Sequence, residues 1–329
     1  MIDVLLVTTW DTACGIAEHS ALLVDALKPE DDINITPSNQ EALDPKHLAR
    51  ALTTSPNRYQ IIHLNYHAAL HSRWTAHHVK QVQATGRKVV ITYHDTMSGE
   101  ADQRNSERCI ELWEQADAFI VHEPVADLPG AIYWRQGIPE PEDTALERVG
   151  TRGYPCLGTV GFDFPWKNYD LLATCSYDAG WALLIVGKVT SDRQKALADL
   201  NPRVQFAYND HGVSGEFVHR RQVVRLLSGC AATAFLYLCA NTGTSAAIRQ
   251  GIAARKPLLA TDPAACRQFR DLKGLGSGIT WLNDLSPDNV TRWLGWLQTG
   301  HDHQMDHFAE QDSWRRLGHK YAALYRGLV

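Results

Sequence analysis

The chain has seven cysteines, at 14, 109, 156, 175, 230, 239 and 266, and none of them form a C-x-x-C pair. That spacing excludes a zinc ribbon, and an odd, scattered set reads as reduced thiols in a cytoplasmic compartment. Long apolar runs are missing too. Nothing approaches the roughly 18 uninterrupted apolar residues of a membrane span. The opening MIDVLLVTTW lacks the basic flank and apolar length of a signal peptide. The expectation is a soluble protein with no transmembrane segment. Neither G-x-G-x-x-G nor G-x-x-x-x-G-K-[ST] occurs, which demotes nicotinamide-dinucleotide enzymes and P-loop kinases. No helix pattern carries histidines four apart with a completing carboxylate or cysteine, so no metal and no cofactor are expected.

The 329 residues, 44% hydrophobic and 21% charged, suit two globular domains. The net charge of −5 is uneven. Residues 1–150 hold 12 Lys and Arg against 22 Asp and Glu, or −10, and the remainder hold 20 against 15, or +5. A basic half beside an acidic one places an anionic small ligand in the second half.

The most informative stretch is Cys239 to Asp262, CANTGTSAAIRQGIAARKPLLATD. It follows the apolar run Ala231–Leu238 and ends in a second short apolar run, giving strand, loop, helix, strand. The loop Asn241-Thr242-Gly243-Thr244-Ser245 has only small hydrogen-bonding residues and a glycine. Thr244 or Ser245 suits an N-cap, Gly243 lets a ligand approach the backbone, and the helix start suits an anion. Arg249, four residues beyond Ser245, lies one turn up the same face, where a guanidinium joins the backbone in holding a phosphate.

The rest of the chain alternates strands and helices. Strands are expected at Ile2–Thr8, Ile61–Leu64, Val89–Tyr93 and Ala118–Val121. Helices are expected at Ile16–Leu27, Pro45–Leu52, Trp74–Thr85 and Glu107–Gln115, with residues 28–58 otherwise polar and irregular. After a Pro- and Gly-bearing acidic linker at about 137–153 the pattern restarts. Strands then fall at 157–161, Ala182–Val186 and Val204–Ala207, and helices at Tyr169–Cys175, Ser191–Leu200, Glu216–Leu227 and Asp288–Gln298. A closing helix runs from Ser313 to Leu328. His301, His303 and His307 read as a solvated helix junction. Alternation predicts parallel sheets with ligands outside the strand C-termini. In the first half those ends read Asn65-Tyr66-His67, His94-Asp95-Thr96 and His122-Glu123-Pro124.

An ordered set of motifs carries a resemblance over nearly the whole chain. It comprises CGIAEHS from Cys14, GTVGFDFPWKNYDLL from Gly158, LLIVGK from Leu183, the stretch above, and the closing Ser-Trp and Tyr-x-x-Leu-Tyr helix. The set resembles retaining glycosyltransferases of the GT-B fold. The resemblance implies an α/β chain of two Rossmann-like parallel-sheet domains facing across a cleft. An acceptor domain would cover 1–150, a nucleotide-sugar domain 151–305, and a C-terminal helix within 306–329 would cross back onto the first domain. It places Lys167 at the donor diphosphate, His94 beside the transferred sugar, Gly15 in the glycine loop near the donor, and Gly187 and Tyr208 around the nucleobase. Two family glutamates fall on Thr242 and Gln250, and a family arginine falls on Phe162, which leaves Arg249 as the second phosphate cation. Gln250 still hydrogen-bonds a ribose, and Asn241 with Thr242 reads the sugar.

The implied reaction is metal-independent transfer, with retention, of a sugar from a UDP- or GDP-linked donor. Lys167, Arg249 and the amides of Gly243, Thr244 and Ser245 stabilise the leaving diphosphate. Tyr66, His67, Asp95 and His122 are the expected acceptor contacts, and the acceptor is a glycan, lipid-linked sugar or small metabolite. The aromatic and basic stretch from Tyr66 to Lys80 also fits hydroxymethylated bases of viral DNA, although a charge of −10 opposes broad phosphate binding. Two rivals remain. A nucleotide-sugar 2-epimerase would use Asp95 and Glu123, and a catalytically silent nucleotide-sugar-binding protein would account for the missing glutamates.

Overall fold

In a computed structural model, residues 1–10, 14–38, 44–54, 58–68, 70–94, 103–122, 128–140, 153–207, 220–238, 245–261, 269, 278–297 and 303–329 are described. They form two compact units, Met1–Gly137 with Trp314–Val329, and Ile138–Ala240 with Ser245–Ser313.

The first unit contains β1 (Ile2–Val7), α1 (Gly15–Leu27), β2 (Ile33–Pro37), α2 (Pro45–Thr54), β3 (Ile61–Tyr66), α3 (Ala76–Gln83), β4 (Lys88–Tyr93), α4 (Gln103–Gln115), β5 (Ala118–Val121) and β6 (Ile132–Tyr133). Its parallel sheet has the order β2-β1-β3-β4-β5-β6. Both faces are covered, which is why the strands read as unbroken apolar runs. The period-two alternation sorts them: Val4 and Leu6 enter one core, Leu5 and Val7 the other. Each fully buried Leu, Ile or Val contributes roughly 1.5–3 kcal/mol.

The second unit contains β7 (Cys156–Val160), α5 (Tyr169–Asp178), β8 (Ala182–Val186), α6 (Ser191–Leu200), β9 (Val204–Ala207), α7 (Arg220–Ser228), β10 (Ala232–Phe235), α8 (Ala246–Ala253), β11 (Leu258–Thr261), β12 (Ile279–Leu282), α9 (Pro287–Trp296) and α10 (His303–Gln311). Its parallel sheet runs β12-β11-β10-β7-β8-β9. In β8, Leu184 and Val186 face one core and Leu183 and Ile185 the other.

The last helix, α11 (Trp314–Leu328), belongs to the first unit. Trp314, Leu317, Tyr321 and Tyr325, on one face, enter the core that holds Leu23 and Leu27 of α1. A Cβ added at Gly318 would lie 2.6 Å from the Ala26 carbonyl oxygen, so glycine permits this close approach. Below, His63 joins Tyr325 Oη at 2.6 Å and Thr92 Oγ1 at 2.8 Å, and Thr92 meets Tyr321 Oη at 2.9 Å.

Most strand spans and several helices match the sequence patterns, while β6 and β12 fall where no strand is expected, and further differences concern residues 28–58, α10 and Ile138. Residues 28–58, expected to be irregular apart from one helix, also contain β2, because a half-buried edge strand such as INITP shows little apolar periodicity. The expected solvated junction at His301–His307 is in its described part the helix α10, with Met305, Phe308 and Ala309 buried and Asp306 paired with Arg255 at 3.2 Å. Ile138, inside the expected linker, is fully buried in the second unit, its amide donating to the Asp312 carbonyl at 2.7 Å. Residues 141–152 of that linker lie outside the described residues. Among the described residues no helix is long and apolar enough to cross a membrane.

Candidate functional site

In the second unit the chain fills the sheet outward from β7 through β8 to β9, then returns to β10 beside β7 and proceeds the other way. Ligands of open α/β sheets gather outside the strand C-termini at such a switch point. Two segments meet there. Beyond β7, a loop reaches a single 3-10 turn at Pro165–Lys167. Beyond β10, Leu236–Leu238 precede the segment leading to α8.

Lys167 Nζ donates to Tyr237 Oη at 2.6 Å, and Tyr237 Oη lies 2.9 Å from Ser245 Oγ. Ser245 is the N-cap of α8, its hydroxyl accepting from the Ile248 amide at 3.5 Å. The Lys167 ammonium also stands over the Trp166 and Tyr237 rings, 4.6 and 4.2 Å from their centroids. Lys167 is only 5% exposed and Arg249, one turn into α8, 4%. The two expected cations therefore belong to one substructure: the lysine reaches the helix cap through a phenol, and the arginine rides on the capped helix. Gln250 is buried beside Arg249 in sequence.

The loop that presents Lys167 is held at several points. The Leu238 amide donates to the Trp166 carbonyl at 2.9 Å and Tyr169 Oη to the Gly161 carbonyl at 3.1 Å. Arg193 bridges Asp163 at 3.1 Å and Asp170 at 2.7 Å. Gly187, at the end of β8, has φ +141, and a Cβ there would stand 2.3 Å from the Gly161 carbonyl oxygen. The close strand-end contact requires glycine. Tyr208, Asn241, Thr242, Gly243 and Thr244 lie outside the described residues.

The first unit has its own switch point between β1 and β3. Gly15 opens α1, and the space about its Cα is open. Cys14 is the N-cap, its Sγ accepting from the Ala17 amide at 3.3 Å. His94 follows β4 and His122 follows β5, and both are buried together with His19 of α1. Asn65, at the end of β3, organises them. Its Oδ1 accepts from His94 Nε2 at 3.0 Å, while its Nδ2 donates to Ser20 Oγ at 2.7 Å and to His19 Nδ1 at 3.2 Å. Gln136 Nε2 lies 3.4 Å from His94 Nδ1, and His122 Nδ1 donates to the Trp134 carbonyl at 2.8 Å.

Tyr66 is 1% exposed and stacks between Tyr93 and His71 at 5.4 and 5.7 Å, so it packs the core. His67 is half-buried, its amide donating to His71 Nδ1 at 3.1 Å. Asp95 and Glu123 lie outside the described residues.

Tyr237, Asn65 and His19, which tie these networks together, were not among the sequence candidates. Tyr237 sits in an apolar run, where a tyrosine reads as core. Asn65 was visible as a strand-end residue, yet its bond to His94 crosses 29 positions. His19 lies inside the CGIAEHS motif but on a helix face otherwise read as packing.

No protein-family model and no curated protein sequence matches the chain. Solved structures do match in shape. Anabaena HepE, solved in complex with UDP, aligns with a TM-score of 0.68 at 15% identity, over 99% of this chain and 100% of that one. AviGT4, a glycosyltransferase involved in avilamycin A biosynthesis, aligns with a TM-score of 0.62 at 15% identity, over 100% and 98%. An α-glucosyltransferase in complex with UDP-glucose and DNA containing an abasic site aligns with a TM-score of 0.58 at 12% identity, over 95% of each chain. At these identities the likeness establishes the fold. The chain shares the GT-B fold of these structures, with two Rossmann-like parallel-sheet units.

Proposed function

We propose that the protein transfers a sugar from a nucleoside-diphosphate sugar to an acceptor hydroxyl, with retention of anomeric configuration as the motif set implies. The observation that carries this reading is the Lys167–Tyr237–Ser245 chain at the second unit's switch point. A buried ammonium tied to the N-cap of a helix is a ready-made site for a diphosphate. Charge developing on the leaving diphosphate is then met by Lys167, Arg249 and the α8 amides, without a divalent ion on the phosphates. Uridine is the favoured base, since HepE was solved with UDP and the α-glucosyltransferase with UDP-glucose. Gln250 is assigned to the ribose and Gly187 to the nucleobase side. His94, Gly15 and the strand ends of the first unit serve the sugar and acceptor.

A glycan, lipid-linked sugar or small metabolite is the preferred acceptor class. A hydroxymethylated DNA base is the second reading, favoured by the likeness to the α-glucosyltransferase bound to DNA and opposed by the acidic first 150 residues.

The test is release of nucleoside diphosphate from a panel of nucleotide-sugars, with and without candidate acceptors including modified DNA. Lys167→Ala is expected to lower turnover by at least about 100-fold with the folding transition retained. Full activity in that variant removes Lys167 from the mechanism. Binding without release under any acceptor favours the silent binding protein. Isomerisation of the sugar without an acceptor favours the epimerase.

A further inference from the structure

The buried histidines of the first unit form a cluster that the donor chemistry does not use in full. His19, His94 and His122 each present one ring nitrogen so that the three atoms lie within 4.8 Å of one another. The ring centroids are 4.4, 5.4 and 5.1 Å apart. We infer that these three imidazoles bind a divalent transition-metal ion of the zinc class.

The outer contacts fit this role. Metal-bound histidines characteristically donate their other ring N–H to a carbonyl or carboxamide, which fixes tautomer and orientation. His122 Nδ1 donates to the Trp134 carbonyl, which leaves the lone pair on Nε2. His94 Nε2 donates to Asn65 Oδ1, which leaves the lone pair on Nδ1, opposite only a 3.4 Å contact from Gln136. His19 accepts from Asn65 Nδ2 on Nδ1 at 3.2 Å, so coordination through Nε2 moves its proton to Nδ1, and the Asn65 amide gives up that contact while keeping its 2.7 Å bond to Ser20 Oγ. Tetrahedral zinc with bonds of about 2.0–2.1 Å sets ligand atoms about 3.3 Å apart. The rings therefore close by up to about 1.5 Å, a small side-chain rotation, and Gln136 releases its long contact. Three neutral imidazoles with no carboxylate select zinc, cobalt, nickel or copper over magnesium or calcium, and water completes the fourth position. The site takes no residue of the second unit, though it shares His94 with the sugar side proposed above, and its occupancy is read without donor or acceptor.

The test is titration of chelator-treated full-length protein with Co²⁺, followed by competition with Zn²⁺. The expected result is one ion per chain, with the visible absorption of tetrahedral nitrogen coordination, displaced by zinc. His19→Ala and His122→Ala should each weaken Co²⁺ binding at least about 100-fold and Asn65→Ala about 10-fold, with circular dichroism reporting the fold. His77→Ala with His78→Ala, on α3, should leave binding unchanged. Absence of a stoichiometric cobalt spectrum in the wild-type protein overturns the inference, whatever the variants do. So does binding that survives loss of His19 and His122 but disappears with His77 and His78.

Discussion

The first unit buries five histidines among its described residues, His19, His63, His71, His94 and His122, whereas the second buries none and instead buries Lys167 and Arg249. His94 and His122 in the first unit and Lys167 in the second follow strand C-termini of a parallel sheet, where ligands of such folds gather, while His63 lies within β3 and His71 packs on Tyr66. The chemistry they can perform differs. Imidazoles exchange protons near neutrality and hold cations through a lone pair, while a lysine on a phenol and an arginine on a capped helix hold only anions. The first unit also buries Arg87, but that guanidinium donates to the carbonyls of Thr85 and Leu52 and ties up backbone. One architecture thus supports two opposite electrostatic designs, and the choice lies in a handful of side chains beyond the strand ends.

The largest expected contrast is in acid. Burial holds His63 down to about 3 and His71 down to about 4, against an ordinary 6.5. Both are neutral in the folded protein, and the unfolded chain takes up their protons below pH 6.5. The stability they preserve is therefore complete above pH 6.5 and is lost as pH falls towards about 4 and about 3. At pH 5 each has lost about 2 kcal/mol, from roughly 1.5 pH units at about 1.4 kcal/mol per unit. Amide exchange compared at pH 7 and pH 5, corrected for the intrinsic rate, should show protection falling in the first unit and holding in the second. Equal behaviour of the two units breaks the comparison. His63→Gln and His71→Gln should flatten the first unit's response.

Next in size is a steric contrast between two glycines. Gly187→Ala meets both a φ of +141 and a carbonyl oxygen 2.3 Å from its new Cβ, and strain with overpacking sums to about 3 kcal/mol. The loss should register as reduced protection in the second unit alone. Gly15→Ala, in open space at the start of α1, should change stability by less than about 1 kcal/mol. A Gly187→Ala protein as stable as the wild type would show that the strand-end contact yields.

The two units also differ in how much of them could be read from the chain. Strands such as ALLIV at Ala182–Val186 are apolar throughout because both sheet faces are covered, and their limits were visible to the residue. A helix cap at Thr244 or Ser245 was legible from the run of small residues before Ala246, and Ser245 is the one that caps α8. Edge elements were not, since a half-buried strand such as β2 and a two-residue strand such as β6 leave no periodic signal. The site splits the same way. Lys167 stands in a local motif, whereas the histidine cluster takes members from α1 and from the ends of β4 and β5, with Asn65 of β3 between them. Local spacing could not show this cluster, because helical spacing cannot represent three histidines brought together only by sheet order.

The smallest contrast concerns Tyr237, which spacing gave no reason to choose. Its oxygen receives the Lys167 ammonium and contacts Ser245, so it aligns the lysine with the mouth of α8. Tyr237→Phe keeps the ring beneath the ammonium, and with it the cation–π contact at 4.2 Å, while removing the only atom through which the lysine and the cap communicate by this route. A single hydrogen bond to a charged group contributes about 1.5–3 kcal/mol. Because the freed ammonium can rebind to the donor phosphates, the expected loss lies at the lower end, about 10-fold in turnover with donor affinity changed less. A merely structural tyrosine would instead lower the second unit's stability and leave the activity of the folded fraction intact. Measuring turnover per folded molecule, beside the denaturation midpoint, separates the two: if activity follows the folded fraction alone, the phenol supports the sheet and the lysine reaches the phosphate unaided.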